Sequence, residues 1–157
     1  MTNITPGMVC AHHHLYSSLA RGMPAPRGKT DSFISILENI WWRIDAALDL
    51  DMIYWSAALG AAEALSSGTT CIIDHHESPH AIEGSLATIA KACRDVGVRV
   101  NASYGVTDSW DNAGNIHSSV DASTKMTSGA RRGLDEGLTF IKSGGRGMIG
   151  VHAAFTC

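Results

Sequence analysis

Four short apolar runs, separated by stretches with helical periodicity, constrain this chain more than any other feature. They occupy residues 8–11, 69–74, 98–107 and 148–151. Residues 8–11 (Met-Val-Cys-Ala) are apolar on both faces, as buried parallel strands are. Residues 69–74 (Thr-Thr-Cys-Ile-Ile-Asp) form a β-branched strand. Strands alternating with helices imply an α/β fold with a parallel sheet.

The helical stretches have recognisable ends. Asp31 or Ser32 caps a helix running to Leu48, with Ile34, Leu37, Ile40, Trp41, Ile44 and Leu48 on one face. A second helix runs from Asp51 to Ser67, with Gly68 as its C-cap and a face of small residues that includes Ala57, Gly60 and Ala61. Ser78-Pro79 starts a third, since proline is tolerated in a first turn, and Gly97 stops it. A fourth runs from Asp121 to Lys142, after a polar loop that holds Trp110 and His117. Arg21 to Thr30 is a long polar segment of the kind that carries binding groups.

With 157 residues, 45% hydrophobic and 17% charged, the chain is globular in composition. A formal net charge of -3 and the absence of a basic, aromatic-interleaved cluster exclude a nucleic-acid groove and a polybasic membrane patch. No run approaches the roughly 18 consecutive apolar residues of a membrane span, and no signal peptide is evident. Cys10, Cys71, Cys93 and Cys157 are widely spaced without a CxxC pair, so a reducing, cytoplasmic setting is the default. Gly144-Gly145-Arg146-Gly147 follows a helix and precedes a strand, the wrong context for a phosphate loop. The serine pairs lack the glycine spacing of a nucleophile elbow.

Chemistry concentrates where the runs end. Parallel α/β folds gather functional groups at the C-terminal ends of their strands, and here those ends carry His12, His13 and His14, then His75 and His76, then His152. Strand side chains alternate faces, so His12 and His14 point together and His13 points toward the helical layer. Two imidazoles on one face make half of a metal site, because a catalytic zinc takes about three protein ligands and one water. Of His75 and His76, His76 is favoured as the group facing the pocket. Glu77 reads as a solvated charge, Arg21 as an anion-holding candidate no better than a surface arginine, and Trp41 or Trp42 as a residue that cannot share one core face with its neighbour.

At this point the motifs resemble those of a known family. Pro6-Gly7-Met8-Val9-Cys10-Ala11-His12-His13-His14-Leu15 is similar to the first-strand signature of the amidohydrolase superfamily, Pro-Gly followed after four residues by His-x-His. Ser67-Gly68-Thr69-Thr70-Cys71-Ile72-Ile73-Asp74 resembles the second-strand segment of those enzymes. Val151-His152-Ala153-Ala154-Phe155-Thr156-Cys157 resembles their fourth-strand His-Ala-Pro-Tyr-Thr, with Ala154-Phe155 in place of Pro-Tyr. Glu38-Asn39-Ile40-Trp41-Trp42-Arg43 and Ile73-Asp74-His75-His76-Glu77-Ser78-Pro79 resemble the SsnA-like aminohydrolases, relatives of chlorohydrolases and guanine deaminase.

The resemblance implies a (β/α)8 TIM barrel, of which residues 1–157 supply about four parallel strands with their helices, a domain truncated at both ends. It implies His12 and His14 as ligands of a divalent metal, with His152 contacting substrate; imidazole ligands make zinc the first choice of metal, with iron or another divalent ion next. The family's fifth-strand histidine ligand, its nearby glutamate, a sixth-strand histidine and the eighth-strand aspartate that accepts the water proton have no counterpart here. No catalytic residue of the family therefore falls within the chain, and the chain alone is expected to be inactive. The implied activity is metal-dependent hydrolysis of carbon–nitrogen bonds other than peptide bonds, an aminohydrolase or deaminase of a small heterocyclic or amidine-like substrate. The expected partner is that small molecule, with no nucleic acid and no membrane. Open sheet edges invite pairing into a homo-oligomer. A cyclic amide hydrolase and a non-catalytic α/β binding or oligomerising module stay open as alternatives.

Overall fold

The structure, a computed structural model, describes residues 3–111, 114–115 and 126–157. Strand β1 (Met8–His13) leads into a 3-10 turn (Leu15–Ala20). One continuous helical stretch follows: α1 (Phe33–Ile36), a π-helical turn (Leu37–Trp41) and α2 (Trp42–Ala47). Then come α3 (Leu50–Ser66), β2 (Thr69–His76), α4 (Ser85–Val96), β3 (Arg99–Val106), α5 (Ser128–Lys142) and β4 (Gly150–Val151). The strands pair in parallel in the order β1-β2-β3-β4. Sequential order, with no reversal, belongs to the start of a (β/α)8 barrel; a doubly wound sheet would reverse its strand order partway.

One face of the sheet is sealed by helices. Ile72, Val100 and Tyr104 pack there against Ile53, Leu86, Ile89 and Phe140 in a single buried core. α3 fits because its inward face is small: Ile53, Ser56, Ala57, Gly60 and Ala61 are buried at helical spacing. A Cβ on Gly60 would lie 2.7 Å from Leu15 Cδ2, so glycine sets how closely the 3-10 turn approaches.

Three expectations need correction. The stretch predicted as one regular helix over 31–48 holds a π turn, and its buried residues are Leu37, Trp42, Asp45 and Leu48. An extra residue in the turn advances the helical phase, so Trp42 and Asp45 become buried while Trp41 and Ile44 pack only half-buried against the core. The third helix starts at Ser85, not at Ser78-Pro79. Ser78 Oγ instead donates to the Ala81 carbonyl at 2.8 Å in a turn, and the carboxylate of Glu136 in α5 accepts from Gly84 N at 3.0 Å and Leu86 N at 3.1 Å, capping α4 from outside. Of the run 148–151, only Gly150–Val151 is a regular strand. The predicted start of the last helix at Asp121, and His117, lie outside the described residues; the described helix begins at Ser128, capped by the Thr127 hydroxyl.

Candidate active site

The first two histidines owe their direction to an irregularity in β1. Cys10 pairs with Ile72 and His13 with Asp74, so three steps along β1 match two along β2. Paired residues share a side of the sheet, which puts Cys10 and His13 together on the helical side. The extra residue is a β-bulge. Strict alternation from Cys10 would send His12 and His14 toward the helices; with the bulge they line the cavity on the other face. His13 is half-buried with its Nδ1 unpartnered, and burial lowers its affinity for a proton.

His12 Nε2 and His14 Nε2 lie 3.0 Å apart. Two nitrogens at about 2.0–2.1 Å from one tetrahedral zinc are about 3.3–3.4 Å apart, so the pair is already spaced for a shared cation. His14 Nδ1 sits 2.9 Å from the His75 carbonyl oxygen, which can only accept, so Nδ1 carries the proton and Nε2 presents its lone pair. Burial is the largest influence on this imidazole and lowers its pKa, favouring the neutral form that a metal requires. The donor set therefore fits half of a divalent metal site. Among the described residues no group of three or more His, Cys, Asp or Glu converges with metal-ligand geometry.

The second strand reverses an expectation. His75, not His76, faces the cavity. His76 is 0% exposed, its Nε2 is 2.9 Å from Ser78 Oγ, and its ring is wedged edge-on between Tyr16 and Tyr104. Burial pushes the His76 pKa down to about 3, so this imidazole is neutral. Asp74 is equally buried; its Oδ1 accepts from Leu15 N at 2.7 Å, tying the turn after β1 to β2, and burial raises its pKa to about 7.

Glu77 is not solvated. It is 2% exposed, accepts from Trp110 Nε1 at 3.3 Å through Oε2, and places Oε1 3.5 Å from His152 Nε2 and 3.9 Å from His75 Nε2. Arg21 takes no part: it forms an exposed bidentate pair with Glu63 on α3. His152 follows β4, lines the cavity, and places its Nδ1 2.8 Å from Thr156 Oγ1.

The cavity holds about 590 Å³, in the ordinary range for a small-molecule pocket. Trp41, Trp42, Phe33 and Phe155 give it aromatic walls, and His12, His14, His75, His152 and Asp45 supply polar groups. Asp45 went unnoticed in the sequence because regular periodicity placed it off the helix's apolar face. Its carboxyl is held well above the usual carboxylate range, first by burial and then by the negative charge of Glu77. Burial and three nearby acids likewise push the Tyr16 phenol up.

The profile of the amidohydrolase family matches residues 3–157. The chain belongs to the amidohydrolase family. Among curated amidohydrolase relatives, a 5-methylthioadenosine/S-adenosylhomocysteine deaminase of Thermococcus sibiricus is 32% identical over 108 residues, covering 69% of this chain and 23% of that protein. A 5'-deoxyadenosine deaminase of Methanococcus maripaludis is 27% identical over 154 residues, covering 98% of the chain and 32% of the relative. The chain thus spans no more than about a third of the length of these relatives. The crystal structure of atrazine chlorohydrolase TrzN from Arthrobacter aurescens TC1 complexed with zinc superposes with a TM-score of 0.65 at 21% identity, over 93% of this chain and 34% of that one. That likeness establishes the fold, the opening half of an amidohydrolase barrel. No helix among the described residues is long and apolar enough to cross a membrane.

Proposed function

We propose that this amidohydrolase chain supplies the first part of the active site of an aminohydrolase acting on a small heterocycle with an exocyclic amine, of the kind its adenosine-deaminating relatives take. One observation carries the reading: His12 and His14 present adjacent Nε2 atoms at the edge of an aromatic-walled cavity that also receives His152. His12 and His14 would hold the metal, with zinc as first choice because imidazole suits it and iron as the alternative. Bound there, a divalent ion would lower the pKa of a bound water and polarise the substrate.

The chain's own groups shape and orient what surrounds that ion. The His75 carbonyl fixes the tautomer of His14. Trp41, Trp42 and Phe155 offer flat apolar surface that displaces water and stacks on a heterocycle. His152 and Asp45 supply polar contacts that orient it. His76 supports the pocket from behind its wall rather than touching substrate. The amidohydrolase family's later ligands and proton acceptor are not among these residues, so the 157-residue chain alone is proposed to be inactive.

The test is made on two preparations. In a protein joining this chain to the later strands of the barrel, bound metal and ammonia release from an aminated purine nucleoside are expected, and His12→Ala or His14→Ala should remove both. Full metal content and turnover in either variant would sink the ligand assignment. Deamination by the purified 157-residue chain would overturn the proposal that it is inactive alone.

A further inference from the structure

Glu77 is a buried carboxylate that metal binding at His12 and His14 does not require. It directly follows β2, yet its two oxygens reach other strand-end loops. Oε2 is tethered by Trp110 Nε1, in the segment after β3, at 3.3 Å. Oε1 has no hydrogen-bond partner among the described residues and lies between two imidazoles, 3.5 Å from His152 Nε2 and 3.9 Å from His75 Nε2. The space is provided by Gly105 of β3, where a Cβ would sit 2.4 Å from His75 Nε2 and 2.8 Å from Glu77 Oε1. Three adjacent loops and a glycine are thus arranged around one carboxylate.

We propose that Glu77 is a positioning residue that keeps a proton on Nε2 of His152, so that the cavity wall presents a hydrogen-bond donor there and selects substrates offering an acceptor at that point. The step from geometry to tautomer is electrostatic. A bare Nε2 would set its lone pair against a carboxylate oxygen 3.5 Å away, beside a side chain almost shut off from solvent; an Nε2–H turns the same contact attractive and gives Oε1 a donor. The other ring nitrogen does not compete: Thr156 Oγ1, 2.8 Å from Nδ1, is a rotor that donates to Nδ1 or to the Ala153 carbonyl at 3.0 Å. An Nε2–H shared between Glu77 and the cavity suits a ring nitrogen or carbonyl oxygen of a heterocycle and disfavours an amine or hydroxyl donor at that spot.

This inference about substrate class rests on the aminohydrolase reading, but its test does not need turnover. The 157-residue chain is labelled with 15N-histidine and its imidazole spectrum recorded above the imidazole titration range. The expected result is His152 wholly in the Nε2–H form. In Glu77→Ala the Nδ1–H form should rise at least several-fold, while Glu77→Gln, which keeps an acceptor oxygen, should restore the Nε2–H form; Thr156→Val should leave it in place. A proton on Nδ1 in the unsubstituted chain overturns the proposal without any variant, and so does an unchanged tautomer in a folded Glu77→Ala. Failure of metal binding at His12 and His14 would count against the catalytic reading and leave this result standing.

Discussion

His14 Nδ1 lies 2.9 Å from the carbonyl oxygen of His75, a residue 61 positions away. That single bond decides which ring nitrogen of His14 is free, and it ties the residue just after β1 to β2 at the cavity. Neither residue could set the tautomer alone.

The first prediction concerns metal retention. Zinc titrated into the chain against a chromophoric chelator should bind through His12 and His14. Replacing either with Ala should weaken binding at least about 100-fold, whereas His13→Ala should leave it within about 3-fold. Equal losses for all three would show that the bulge does not orient the pair.

A second prediction is a pH dependence built from two buried groups. Asp74 has its pKa raised from 3.8 to about 7, so its contribution to stability is present at low pH and is lost as pH rises through that window. His76 has its pKa lowered from 6.5 to about 3, so its contribution is present above pH 6.5 and is lost as pH falls toward 3. Between about pH 4 and 6.5 the two slopes oppose, and the raised carboxyl of Asp45 adds to the Asp74 side. Relative to the parent, Asp74→Asn should change the slope of stability against pH by about +1.4 kcal/mol per pH unit in this window in urea unfolding. A variant whose profile runs parallel to that of the parent would remove this account.

Gly105→Ala forms a third test. The added methyl would meet His75 Nε2 and Glu77 Oε1 well inside contact distance. A cost of about 1–3 kcal/mol in unfolding free energy is expected, together with shifted 15N resonances of His75 and His152. Unmoved resonances would mean that the glycine is only a packing convenience.

The fourth concerns the helix cap that crosses between elements. Glu136→Ala leaves Gly84 N and Leu86 N without their acceptor and should destabilise the chain by about 1–2 kcal/mol, with faster amide exchange confined to the first turn of α4. Exchange that accelerates uniformly would point to global loosening instead.

Much of the fold could be read from residue order. Each apolar run and helix stripe is a local statement, because burial of one face imposes a period of 2 or 3.6 on the sequence itself. Gly97, with φ at +100, ends α4 where the sequence says it should, since the left-handed cap favours glycine. The parallel sheet and the clustering of histidines at strand ends follow from the same reasoning.

What the sequence by itself determined was the α/β alternation, the apolar runs that become strands and the residue types at the strand ends. Only the tertiary structure decided which of those residues meet. The extra residue of β1 between Cys10 and His13 and the π turn in the helix from Phe33 to Ala47 change which side chains face inward just beyond them. Neither leaves a mark on composition or periodicity, because each is set by pairing with a distant neighbour. Glu77 shows the same limit from the other side. A carboxylate among polar residues reads as solvated until the indole of Trp110 and two imidazoles, brought by other strands, close over it.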